Sequence, residues 1–225
     1  MKAGIIRFPG SNCDRDMFHV LSDVYGMDTR YIWHDDTSTG DVDLLVLPGG
    51  FSYGDHLRAG VIAVSSPIIK PVRDAADSGM PILGVCNGFQ ILVEAHILPG
   101  ALQRNTSLEF MCNWTSLIVK NNKTPFTTSL DIDQHIPIPI ANGEGRYYVD
   151  DITLEELKTN NQIVFVYSEY INGSTNGIAG VCNKNKNVVG MMPHPERAAE
   201  SAINPLDNIP ASLIFKSMLN HIGVL

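Results

Sequence analysis

In the first half of the chain, short apolar runs alternate with amphipathic stretches, and glycine or proline closes nearly every one. Lys2 to Phe8 reads as a buried strand. Asp14 to Tyr25 reads as a helix with Asp14 and Asp16 in its first turn, Met17, Val20, Leu21 and Val24 on one face, and Gly26 as its stop. Thr29 to Trp33 and Asp43 to Leu47 are the next strands, the latter ended by Pro48-Gly49-Gly50. Ser66-Pro67 opens a helix with Ile68, Ile69, Val72, Ala75 and Ala76 at helical spacing. Ile82 to Val85 is a fourth strand, and Phe89 to Ala95 is helical. Strands fed by helices in this rhythm predict an α/β chain with a parallel sheet covered on both faces.

From about Leu108 the pattern becomes strands and turns without long helices: Phe110 to Lys120, Ile136 to Ala141, Ile163 to Tyr167, Ile178 to Val181 and Val188 to Met192. Added antiparallel strands are expected there. Pro210 to His221 reads as a closing helix with Ile214, Met218 and Ile222 on its inner face. With no internal repeat and no low-complexity linker, residues 1–225 are read as a single domain.

The balance of charge narrows the partners. A net charge of -8 is unfavourable for binding nucleic acid or an anionic membrane, and no stretch is long enough to span a bilayer. Cys13, Cys86, Cys112 and Cys182 are dispersed, with no Cys-x-x-Cys pair and no Cys/His spacing suited to zinc, so neither a metal site nor a disulfide framework is expected. The N-terminus lacks a signal-peptide pattern, and a cytoplasmic location follows as the expectation.

One junction carries the chemistry. Gly84-Val85-Cys86-Asn87-Gly88 lies between the strand at Ile82 and the helix at Phe89, the position of a nucleophile elbow. A free cysteine is by default a small buried hydrophobe. A merely packed one needs no glycine two residues to either side, and here both are present. The turn aims the Asn87 N–H and the positive end of the following helix at the sulfur, the surroundings a reactive thiol uses. At the end of the strand Val188 to Met192, Pro193-His194-Pro195-Glu196 offers a base and its orienter: residues two apart on extended backbone share a side and lie roughly 6.6 Å apart at Cα. Sites in open α/β sheets sit at the carboxyl ends of strands, where Cys86, His194 and Gly49-Gly50 all emerge. Gly50 becomes the second oxyanion donor across from Asn87, with Gly49 beside it. Gln90, one helical turn past Cys86, is placed to meet a polar substrate. The predicted chemistry is acyl transfer through a thioester by Cys86, His194 and Glu196.

Gly84 to Gln90, Pro193 to Glu196 and Pro48-Gly49-Gly50 together resemble the class I, triad-type glutamine amidotransferases. Within that group, Phe8 to Asp14, Gly49 to Asp55 followed by Leu57 to Gly60, Leu98 to Leu102 and Gly190 to Ala198 look like the glutaminase subunits of phosphoribosylformylglycinamidine synthases. The resemblance implies a flavodoxin-like, open, mostly parallel sheet with helices on both faces. It also implies glutamine as substrate, ammonia as product, and a purine-biosynthetic complex in which a large synthetase subunit is joined by a small bridging subunit. No cofactor is expected in this chain; ATP and magnesium belong to the synthetase partner, in keeping with the absence of a Walker-type loop. One departure stands out: Asn142 occupies a position where the family commonly has histidine, and it is given no catalytic role. Competing readings are another thiol hydrolase of the same fold, a γ-glutamyl hydrolase or peptidase, and a non-catalytic flavodoxin-like module using Gly10-Ser11-Asn12 as a phosphate cradle.

Overall fold

Strand β1 (Lys2–Arg7) is flanked in parallel by β2 (Asp28–Trp33) and β3 (Leu44–Leu47), and β3 in turn by β4 (Ile82–Val85). We describe this from a computed structural model covering residues 1–204 and 211–223. Helix α1 (Asp14–His19) connects β1 to β2, α2 (Ile69–Asp77) connects β3 to β4, and α3 (Asn87–Glu94) follows β4. Every residue of β3 and β4 is buried, which requires cover on both sheet faces and explains their unbroken apolar runs.

After α3 the chain leaves the parallel core. Among the described residues β5 (Ala101–Gln103) pairs only with β8 (Arg146–Tyr148), as a separate two-stranded ribbon. β6 (Met111–Val119), β7 (His135–Asn142), β9 (Ile163–Tyr167) and β10 (Ile178–Cys182) are antiparallel additions, and β11 (Val188–Met191) then returns to the centre. The resulting order, β2-β1-β3-β4-β11-β10-β9-β6-β7, has five parallel strands at one side and four antiparallel ones at the other. The expected flavodoxin-like sheet is therefore present, but its fifth parallel position is filled by β11, the last strand among the described residues. Met191 pairs with Val85, and the Cys86 N–H bonds the Met191 carbonyl at 2.8 Å. Two segments distant in sequence thus end side by side.

Three local departures have physical causes. α1 gives way at Val20–Val24 to a wide π turn, closed by the Tyr25 N–H on the Val20 carbonyl. That turn rotates Val24 out of the apolar stripe and leaves it exposed, while Met17, Val20 and Leu21 stay buried. A helix that the sequence pattern does not announce, α4 (Asp151–Thr159), starts from Asp150, whose carboxylate accepts the Thr153 N–H at 2.7 Å, and buries Leu154 and Leu157. The closing helix α5 (Ser212–His221) buries Ile214 and Met218 as expected, with Ile222 just past its end. The expected start at Pro210 lies outside the described residues. Among the described residues, no helix is long and apolar enough to cross a membrane.

Candidate active site

Between β4 and α3 the backbone turns through Cys86 with φ 50 and ψ -107, a conformation few side chains adopt. The strain is borne by the cysteine itself. Gly88 lies in ordinary helical space, but a Cβ there would collide with the Leu47 carbonyl oxygen, so α3 can pack this closely on β3 only with glycine. The elbow thus combines a strained nucleophile position with a helix pressed against the sheet. Cys86 lies at the N-terminus of α3, whose first N–H groups have no partner within the helix.

Cys86, Gly50, Phe51, Asp55, Gln90 and Glu144 are among the residues lining a cavity of about 180 Å³. Larger hollows exist elsewhere, such as one of about 530 Å³ beside Lys70 and Asp74, but that one contains neither cysteine nor histidine. Behind the cavity, His194 Nδ1 and Glu196 Oε1 lie 2.6 Å apart and both residues are fully buried, while His194 Nε2 makes no hydrogen bond among the described residues. Burial favours the neutral imidazole. The adjacent Glu196 carboxylate and the Cys86 sulfur outweigh it, holding the His194 pKa well above its ordinary value. The His194 N–H bonds the Pro139 carbonyl at 2.9 Å, and the Cys86 thiol faces the Ala141 carbonyl at 3.7 Å. Strand β7 therefore braces both residues.

The other anticipated residues are distributed around this centre. Gly50 lines the cavity with φ 153, and a Cβ on it would strike Ser11. Gly49 does not line the cavity; the space where its side chain would stand is occupied by His194 and Cys13. Asn87 uses its side chain to accept the Ser52 N–H at 3.1 Å and to donate to Gln90 Oε1 at 3.0 Å. Gln90 lines the cavity as expected, but its Nε2 donates to the Glu144 carbonyl at 2.8 Å, so both ends of its amide are bonded to protein. The Gly10-Ser11-Asn12 turn is tied to the Gly50 loop: Phe51 N–H bonds Gly10 O at 3.0 Å and Tyr53 N–H bonds Pro9 O at 2.7 Å.

Sequence reasoning missed Asp55. The loop that carries it has positive φ at Tyr53, Gly54, Asp55 and Leu57, a concentration of left-handed backbone that places a carboxylate at the cavity wall. Burial, then the charge of Glu144, raises the Asp55 pKa to about 6. The available signal was an acid in a glycine-rich loop just past a strand end. A second omission is Cys13. Its sulfur, a ring nitrogen of His194 and a carboxylate oxygen of Glu196 all lie within 4.8 Å of one another, a spacing that could hold a metal ion. Positive charge there is already supplied by Arg197, whose Nη2 donates to the Cys13 sulfur at 2.9 Å. Of the two thiols beside His194, only that of Cys86 lines the cavity.

Comparison with known proteins agrees with this geometry. Residues 1–221 match the CobB/CobQ-like glutamine amidotransferase domain. A structure of PurLQS from Thermotoga maritima includes a chain 44% identical to this one, matched over 98% of both chains with a TM-score of 0.89. A putative GMP synthase component from Thermoplasma acidophilum is 17% identical over 99% of this chain and 94% of its own, with a TM-score of 0.65. A glutamine amidotransferase from Thermotoga maritima is 16% identical over 99% of this chain and 98% of its own, with a TM-score of 0.62. The last two show a shared fold.

Proposed function

Since the chain belongs to the CobB/CobQ-like glutamine amidotransferase family, we propose that it is the glutaminase subunit of a phosphoribosylformylglycinamidine synthase, folded as one domain and working in the cytoplasm. The observation carrying this is the pairing of two neighbouring strand ends: Cys86 strained at the head of α3, and the buried His194–Glu196 pair after β11.

In this reading the glutamine side chain enters the cavity, whose size, about 180 Å³, suits a small metabolite better than a peptide. Asp55 and Glu144 give its wall negative charge suited to the α-ammonium group. With its proton held by His194, the Cys86 sulfur attacks the side-chain carbonyl carbon, and the oxygen, now carrying the negative charge, takes N–H donors from Gly50 and Asn87. His194 gives its proton to the departing nitrogen, the C–N bond breaks, ammonia leaves and a glutamyl thioester remains. His194 then takes a proton from water as that water attacks. The second tetrahedral species collapses, expelling the sulfur and releasing glutamate. Glu196 keeps the imidazole oriented and offsets its charge in both halves.

The ammonia is used by a synthetase subunit that binds ATP and magnesium, with a small bridging subunit completing the complex. Phe51 and Phe110 at the cavity wall are about half exposed, and Leu57 and Leu108 nearby in sequence are largely exposed. The two half-exposed rings at the cavity wall support docking of the synthetase over the site. The test is glutamine hydrolysis with and without the synthetase, using Cys86→Ala as control. Turnover should be weak alone, stimulated in the complex and absent in the variant; full activity of Cys86→Ala would remove the nucleophile, and equal rates with and without partner would remove the gating.

A further inference from the structure

Cys13 closes the Gly10-Ser11-Asn12 turn at the head of α1, and the hydrolytic steps above make no use of its thiol. It is almost wholly buried, and each of its polar groups is engaged. Its N–H bonds the Gly49 carbonyl at 3.2 Å. The thiol donates to Asn12 Oδ1 at 3.2 Å, and the sulfur accepts from Arg197 Nη2 at 2.9 Å. Because the thiol proton goes to Asn12, a sulfur lone pair is left for the guanidinium, and a ring nitrogen of His194 lies within 4.8 Å of the same sulfur. The gap above Gly49 shows how closely these groups meet: a Cβ built there would lie 2.8 Å from His194 Cε1 and 3.0 Å from the Cys13 sulfur. Arg197 is fixed from its other side by Asp16, at 3.4 Å.

We propose that Cys13 is a positioning residue for His194: its sulfur links the imidazole to Arg197 and to the Gly49–Gly50 turn, holding base and oxyanion loop in one register and favouring the protonated ring that later donates to the departing nitrogen. This rests on His194 being the base. The charged or titratable groups around His194 are Cys86 from the elbow, Glu196 and Arg197 from the turn after β11, and Cys13 from the head of α1, with Asp16 acting through Arg197. Cys86 and Glu196 remain in a Cys13 variant, so the contribution of Cys13 can be read separately.

The experiment is the pH profile of kcat/KM for glutamine in the complex with its synthetase. In Cys13→Ala the alkaline limb should move to lower pH by roughly half a unit or more, because a group favouring the protonated ring is lost, with KM at the optimum changed less than about twofold. Cys13→Ser, whose hydroxyl can still meet Arg197 and Asn12, should recover most of the shift. Cys13→Val, which fills the site without a lone pair, should move the limb in the same direction and serves if Cys13→Ala does not fold; Arg197→Gln removes a neighbouring positive charge and should move the limb the other way. A Cys13→Ala or Cys13→Val profile that coincides with the wild type overturns the proposal, as does a Cys13→Ser limb displaced as far as that of Cys13→Ala. His194→Asn separates the two levels: loss of turnover there, with an unmoved Cys13→Ala limb, rejects the positioning role and leaves the base assignment standing.

Discussion

Replacing Glu196 by glutamine keeps the shape of the buried pair and removes only its charge. In the resting protein, Glu196 Oε1 lies 2.6 Å from His194 Nδ1, with both side chains inaccessible to solvent. The protonated imidazole that donates to the departing nitrogen carries a full positive charge whose centre is about 4 Å from that of the carboxylate, and at an effective dielectric of about 20 this attraction is worth about 4 kcal/mol. At about 1.4 kcal/mol per decade, its loss predicts a fall of roughly a thousandfold in kcat/KM. A glutamine that donates its N–H to Nδ1 would also impose the wrong tautomer, carrying the loss toward ~10⁴-fold. Steady-state glutamine hydrolysis by the complex measures this, with thermal melting as a check on folding. A loss below about tenfold in a folded variant would refute the reasoning, and so would a loss confined to KM, because the carboxylate would then not be holding the proton that His194 delivers.

Asp55→Asn should raise KM for glutamine more than it lowers kcat. In the wild type, KM should rise as pH falls through about 6, where the Asp55 carboxylate takes up its proton, and the variant should lack that dependence. Because the folded-state pKa is raised, Asp55 itself costs stability as pH increases from its unfolded value toward about 6, so at neutral pH Asp55→Asn should melt no lower than the wild type. Gly88→Ala drives a Cβ into the Leu47 carbonyl, which as backbone cannot move aside cheaply; a loss of roughly 1–3 kcal/mol is expected from denaturant unfolding, together with impaired turnover. Asp150→Ala removes the cap of α4 and should cost about 1 kcal/mol with hydrolysis unchanged, and a drop in kcat would connect that helix to the site.

The strands of the parallel core were legible because burial on both faces writes them as continuous apolar runs, and the elbow because it needs glycines at fixed offsets from Cys86. α4 was harder to read: it buries only Leu154 and Leu157, and its clearest sign is the cap at Asp150. The ribbon β5–β8 has only three residues on each side, too few for an alternation to register. At the site, Cys86, His194 and Glu196 could be inferred because each sits at a strand end with its own local signature. Cys13 and Asp55 owe their positions to tertiary contacts, to Arg197 and Gly49 in one case and to a run of left-handed backbone in the other. Such contacts leave little local trace.

The central place of β11 also bears on synthesis. β4, with the nucleophile at its tip, leaves the ribosome long before β11, and until β11 arrives one edge of β4 has no neighbour. A nascent chain at that stage carries a thiol without its base and a bare apolar strand edge, a state prone to wrong pairing. The late insertion means that hydrolytic capacity is acquired only when the sheet is closed, so a chain stalled or cleaved before Val188 would not squander glutamine.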